Sequence, residues 1–369
     1  VENAVRLQMV SDVPLGTFCS GGIDSSLVTA MCARNSGVAI NTYSVGFHEA
    51  EWDETLYARM VSRRYGTDHH ELRIDNRQFA ELLPKMVWHN DEPLNFANSV
   101  HIYALSRLSR DRVKVVLTGE GADELFGGYP RYLIPTMTAR FQRLPSVLRR
   151  LVRIAARLSP ERRIRKLAAA LDAPLGDALL FNSGRHAPAA ARQIWDIWQE
   201  PNYRTQLYTK LDKNASALQQ VSLVDQHTYL VSILYRQDKM SMAASIESRV
   251  PLLDYRLVEF ANALPDRFKQ SRLTTKVIWK RLAERYLPRE VVHRRKSGFG
   301  VPLRSWFAAA DGLGSLVDTA FAEIRAPEIE QALPLKQLID AHRAGRADYS
   351  DLLWSALNYL LWKQAFRMA

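Results

Sequence analysis

The amino-acid sequence predicts an α/β fold: a doubly wound parallel sheet over residues 1–131, followed by a mainly helical portion over residues 132–369. Two observations carry this. Short apolar runs alternate with helix-period segments up to about Thr118, and the strand signals fade from about Tyr132 onward. Strand and helix alternating at this spacing specify βαβ units, in which right-handed crossovers lay helices over a parallel sheet.

In order along the chain, Leu15 to Cys19, Ile40 to Phe47, His69 to Ile74 and Val113 to Thr118 read as strands. The second and the last are β-branched runs with turn residues close by. Between them Ser25 to Arg34, Glu54 to Tyr65, Arg77 to Trp88 and Ser99 to Arg110 carry apolar residues at helical spacing. Beyond Tyr132, Arg140 to Ala170, Ser216 to Ala244, Leu257 to Leu264, Thr275 to Tyr286 and Tyr349 to Arg367 favour helix. Pro145, Pro160, Pro174, Pro188, Pro201, Pro265 and Pro288 punctuate them. Ligands of such sheets bind beyond the carboxyl ends of the strands, so residues just after Cys19, Phe47 and Thr118 are where chemistry is expected.

Composition narrows the class. At roughly 100 to 200 residues per domain, 369 residues allow two or three domains. A chain with 47% hydrophobic and 24% charged residues is globular, which excludes wholesale disorder and collagen-like architecture. Two cysteines form no disulfide framework, and Cys19 and Cys32 read as small buried hydrophobes in a reducing compartment. No apolar run approaches the roughly 20 residues that cross a bilayer, and Val1 to Gln8 lack a signal-peptide pattern; no membrane contact and a cytoplasmic location are expected. The chain opens on Val1 rather than Met, so a further segment upstream is expected.

The net charge of +11 is local. Ten basic residues lie between Arg140 and Lys166 against one acid, Glu161. Clustered Arg is the footprint of a nucleic-acid or membrane-surface partner, but no interleaved aromatics accompany it, so a solvated helical face is the simpler reading.

The most informative stretch is Ser20-Gly21-Gly22-Ile23-Asp24-Ser25-Ser26, directly after a strand and opening a helix. Gly21 and Gly22 admit an anion to the backbone, and the helix N-terminus offers free N–H groups and a positive dipole end. Ser20, Ser25 and Ser26 add hydroxyl donors, and Asp24 suits the Mg²⁺ that accompanies a polyphosphate. The loop is not a Walker A sequence; it resembles the pyrophosphate loop of the ATP pyrophosphatases. A second constellation, Thr118-Gly119-Glu120-Gly121-Ala122-Asp123-Glu124, follows the last clear strand. Its three carboxylates repel one another unless cations lie among them, which suits a site holding Mg²⁺ and a general base.

With Thr42-Tyr43-Ser44-Val45-Gly46-Phe47, Asp91-Glu92-Pro93, the run from Arg236 to Asp254 and Arg295-Lys296-Ser297-Gly298-Phe299-Gly300-Val301-Pro302, the pair resembles the synthetase domain of glutamine-dependent asparagine synthetases, from about Ala4 to Phe307. The resemblance implies a core of adenine nucleotide alpha hydrolase type and a ligase of asparagine biosynthesis. ATP adenylates the β-carboxylate of aspartate, releasing pyrophosphate, and ammonia then displaces AMP. It implies that Ser20, Gly21, Gly22, Asp24, Ser25 and Ser26 bind pyrophosphate and Mg²⁺. Backbone groups of Phe18 and Val45 read the adenine, and Thr118 and Gly119 touch the nucleotide. Asp123 supplies a second Mg²⁺ carboxylate, Glu120 takes a proton from ammonia, and Lys296 stabilises charge on the phosphates. Glu124, Lys239, Glu247 and Arg249 orient substrate or support those that do, with a structural salt bridge as the equal alternative for each.

The family's glutaminase domain, whose first residue is a cysteine, has no counterpart in this sequence. It is expected upstream or as a partner subunit, with free ammonia as the other donor; a homodimer is also compatible. Relatives with this domain amidate other small carboxylates or close rings in polysaccharide and secondary metabolism, so the acceptor is aspartate or another carboxylate. The presence of Glu120 favours an ammonia user. A tRNA-modifying ATP pyrophosphatase would share the first loop without needing the second constellation or Lys296.

Overall fold

A computed structural model of the chain describes residues 1–158, 171, 176, 203–271, 274–294 and 300–367. Contacts gather the chain into two compact units: Val1–Glu120 with Ile233–Asp254 and Ala283–Ala369, and Gly121–Ser232 with Tyr255–Leu282. Compactness thus divides the chain differently from secondary-structure content, which changes near residues 131 and 132.

The first unit holds a five-stranded parallel sheet in the order β3-β2-β1-β4-β5. The strands are β1 (Leu15–Phe18), β2 (Asn41–Gly46), β3 (Asp68–Arg73), β4 (Val115–Leu117) and β5 (Glu247–Arg249). The first four fall within a residue or two of the sequence reading; β1, β2 and β4 are largely buried, while β3 (Asp-His-His-Glu-Leu-Arg) is part-exposed and holds its place by pairing along its length with β2. β5 was not anticipated. Its Glu-Ser-Arg carries no apolar pattern, and it becomes a strand by pairing Ser248 with Val116 of β4.

Helix α2 (Ile23–Asn35) crosses from β1 to β2 and α3 (Thr55–Tyr65) from β2 to β3. The chain then returns past β1 to β4 through α4 (Asn76–Asn90) and α5 (Ser99–Ser109). Right-handed crossovers in opposite directions place α2 and α3 on one face and α4 and α5 on the other. The strand order therefore reverses between β1 and β4, and the crevice at their carboxyl ends is the expected ligand site. Helix α1 (Glu2–Gln8) precedes β1 and packs on α2.

Local signals set the helix ends. The side chain of Asp75 accepts from Gln78 N at 2.8 Å in a capping box that opens α4, and α4 closes on Asp91 at φ 63°. Phe79 of α4 is fully buried among the rings of His101, Trp306 and Trp354. A side chain of this kind contributes roughly 1.5 to 3 kcal/mol by leaving water. The last helix, Ser350–Ala365, lies against α4. Four helices ahead of it, Leu303–Ala308, Leu313–Glu323, Pro327–Ala332 and Leu335–Arg343, were not anticipated; they are short and separated by turns.

The second unit is mainly helical. Its chain enters through α6 (Ala122–Phe126), α7 (Leu133–Gln142) and α8 (Ser146–Leu158). The helical stretch expected over Arg140 to Ala170 breaks at Arg143–Pro145, where Pro145 was read as punctuation, and residues 159–170 lie outside the described ones. Likewise Ser216 to Ala244 is two helices, Ala217–His227 and Tyr229–Met242, parted at Thr228. Asp225, fully buried, accepts from Arg131, Arg204 and Tyr132 and ties three segments of this unit together. No helix of the described residues is long and apolar enough to cross a membrane.

Candidate active site

The loop after β1 is held in one shape by its own side chains. The Ser20 and Ser25 hydroxyls lie 3.0 Å apart, Ser25 Oγ accepts from Ser20 N at 3.1 Å, and Ser20 Oγ accepts from Gly22 N at 3.3 Å. Gly22, extended at φ −75°, caps α2 without a side-chain cap bond. The first-turn N–H groups of a thirteen-residue helix therefore open onto this loop, with Asp24 in that turn. Gly21 has φ 73°, and a Cβ there would come within 2.7 Å of Tyr57 Cβ and 2.8 Å of Ala58 N. Only glycine lets the loop pass this close to α3.

The second constellation meets the first at the crevice between β1 and β4. A Cβ on Gly119 would stand 2.5 Å from Ser25 N and 2.8 Å from Asp24 C. The backbone that leads into Glu120 thus lies directly against the N-terminus of α2. One residue further, Glu120 Oε1 is 3.1 Å from Arg236 Nη2, and Arg236 Nη1 donates to Asn98 Oδ1 at 2.9 Å. The guanidinium also lies over the Phe96 ring at 5.0 Å. Arg236 is nearly buried and Glu120 is 31% exposed, so a fixed guanidinium anchors a carboxylate that solvent still reaches.

Phe18 and Val45 lie at the carboxyl ends of neighbouring strands. β2 runs to Gly46, but its pairing with β1 ends at Phe18↔Tyr43, closed by Cys19 N donating to Tyr43 O at 2.8 Å. Past that point Ser44, Val45 and Gly46 pair with β3 alone. The side of β2 that faces β1 is free of strand partners at Val45, next to the end of Phe18, where a planar base can meet backbone groups.

Several side chains are placed less openly than their motifs suggest. Ser26 is fully buried. Burial pushes both cysteine thiols up, Cys32 to about 12, so neither is a nucleophile. Thr118 is buried, and its N–H donates to Arg249 O at 3.0 Å. Arg249 itself reaches Gln8 O and Val10 O at 2.8 and 2.6 Å and pairs with Glu247 at 2.7 Å. Lys239 pairs with Asp91 at the end of α4. It lies one turn after Arg236 on the helix Tyr229–Met242, hence on the same face.

In the second unit, Asp123 of α6 pairs with Lys276 Nζ at 2.8 Å, a buried cation that the sequence reading passed over as an ordinary helix residue. Glu124 is buried and accepts from Tyr129 Oη at 2.6 Å. Burial and that carboxylate push the Tyr129 phenol far above its ordinary range, so it stays a donor. Lys296 falls outside the described residues. Arg236 was quoted within its motif without a role, because its partner Glu120 stands 116 residues away and only the fold brings them together.

The asparagine synthase family model matches residues 1–364. The chain is 33% identical over 368 residues to "Asparagine synthetase [glutamine-hydrolyzing] 1" of Bacillus subtilis, covering 98% of this chain and 58% of the relative. It is 33% identical over 375 residues to a putative glutamine-hydrolyzing asparagine synthetase of Mycobacterium tuberculosis, covering 99% and 57%. An amidase of Gibberella zeae is 24% identical over 333 residues, covering 78% and 48%. The chain therefore spans under two thirds of the length of these curated relatives. Over the length it has, the match is continuous, and the chain belongs to the asparagine synthase family.

Proposed function

We propose that this chain is the ATP-dependent synthetase portion of an asparagine synthetase, converting aspartate, ATP and ammonia into asparagine, AMP and pyrophosphate. The observation that carries the reading is the contact of Gly119 with the Ser25 backbone. It puts a carboxylate, Glu120, one residue from a loop suited to polyphosphate, so activation and amide formation share one crevice.

The residues fit such a substrate. Glycine stands where a Cβ would intrude, the helix N-terminus supplies donors, and the open run of β2 at Val45 supplies a backbone rim for adenine. Ser20, Gly21, Gly22, Asp24 and Ser25 hold the pyrophosphate end, Phe18 and Val45 the base, and Thr118 and Gly119 the nucleotide between. Asp24 is the loop's carboxylate for Mg²⁺, which when bound would neutralise charge on the phosphate oxygens, and Asp123 is a second such carboxylate by resemblance. Mg²⁺ usually keeps several waters and is held by one or two carboxylates plus substrate phosphates. Lys296 adds a cation on the phosphates by resemblance.

In the first step a β-carboxylate oxygen of aspartate attacks the α-phosphorus, and pyrophosphate leaves. In the second, ammonia attacks the acyl carbon, Glu120 accepts its proton, and AMP departs. Arg236 anchors Glu120. Glu120→Gln should lower asparagine formation with ammonium by about 100-fold or more, the usual contribution of a general base, while ATP binding stays at the wild-type value. Asparagine formation at the wild-type rate would remove Glu120 from the mechanism.

A further inference from the structure

Arg294 was given no part in the reading above, yet it stands at the phosphate loop. Its Nη2 is 3.9 Å from the point a Cβ on Gly22 would occupy, so the guanidinium edge borders the glycine pair. Its Nη1 donates to Glu54 Oε1 at 2.5 Å, and its plane lies over the Tyr57 ring at 4.6 Å. The same two residues line Gly21: a Cβ there would meet Tyr57 Cβ at 2.7 Å and Glu54 O at 3.1 Å. Loop, α3 N-terminus and Arg294 thus form one packed group.

Arg294 and Glu54 are only 12% and 16% exposed, so neither is a solvated surface charge. One carboxylate and one ring fix the guanidinium at its Nη1 edge and its face. The remaining edge points along the wall of a loop built for an anion, and a planar fork with several donors is well matched to phosphate oxygens. A second cation there is useful chemically, since pyrophosphate gains charge as its bond to the α-phosphorus breaks.

We propose that Arg294 is a further pyrophosphate-contacting residue, and that Glu54 is the positioning residue that presents it. This rests on the nucleotide reading given above. The specificity it confers is for the β and γ phosphates, not for the adenosine or the α-phosphate.

Equilibrium binding of inorganic pyrophosphate, Mg-ATP and AMP to the full chain tests it without amide formation. Arg294→Ala should weaken pyrophosphate and ATP by about 10- to 100-fold, the worth of one charge-assisted hydrogen bond, and leave AMP unchanged. Arg294→Lys keeps the ion pair with Glu54, and so the fold, but one ammonium replaces the fork; it should weaken pyrophosphate by about 3- to 10-fold. Glu54→Ala should weaken pyrophosphate in the wild-type background and add nothing in the Arg294→Ala background, because it acts through that side chain. Wild-type pyrophosphate affinity in either Arg294 variant would overturn the proposal, as would an equal loss for AMP. If the unsubstituted chain binds AMP but neither pyrophosphate nor ATP, the nucleotide reading falls and this one with it.

Discussion

Glu120 and Arg249 are both charged residues of sequence motifs, but they end in different situations. Glu120 is anchored by Arg236 and keeps 31% of its side chain exposed. Arg249 is spent on the backbone oxygens of Gln8 and Val10 and on Glu247, a geometry that serves the fold. Arg249→Ala should therefore lower stability, by about 1 to 3 kcal/mol for the lost charged hydrogen bonds, and leave the KM values for ATP and aspartate unchanged. Denaturant titration beside steady-state kinetics separates the two; a raised KM at unchanged stability would return Arg249 to the substrate. The sequence reading gave Glu120 a catalytic role and left Arg249 between substrate and salt bridge, since what a charged side chain does is decided by the partners that folding brings to it. The same applies to Arg236 and Lys276, whose partners Glu120 and Asp123 appear only on folding.

Among the elements, the loops after β1 and β4 depend on each other's backbones. Gly119→Ala would put a methyl group 2.5 Å from Ser25 N, contact that backbone can relieve only by moving α2 or the β4 loop. ATP affinity should fall by about tenfold or more and the melting temperature should drop; wild-type ATP affinity would show that the two loops need not touch. Helix α5 carries a different constraint. His101, fully buried against Phe47 and Phe79, is held neutral, and burial pushes its pKa down to about 3. An unfolded chain protonates this ring near pH 6.5, so below that pH the unfolded state binds the extra proton. Stability should fall as pH drops from about 6.5 towards 3, and His101→Phe should flatten that part of an equilibrium unfolding curve. An unchanged slope would show that His101 titrates alike in both states. The four strands and their helices were legible because apolar periodicity is a local property. β5 was not, because a three-residue polar strand exists only through its neighbour.

For the whole molecule, what the sequence made readable was the order of motifs, and with it the family. Its grouping into units was less so: Ile233–Asp254 and Ala283–Ala369 return to the sheet's unit after segments of the other, and nothing in their composition announces that return. The return matters chemically, because it brings Arg236 to Glu120 and Arg294 to the glycine loop. The central claim is that one crevice activates aspartate and then aminates it. The most direct test is to follow pyrophosphate, AMP and asparagine from the purified chain with Mg-ATP and ammonium, with and without aspartate. All three products should form in equal amounts, each dependent on aspartate. Pyrophosphate release that aspartate does not raise, from a folded chain that binds ATP, would contradict it and move the adenylated group to another carboxylate.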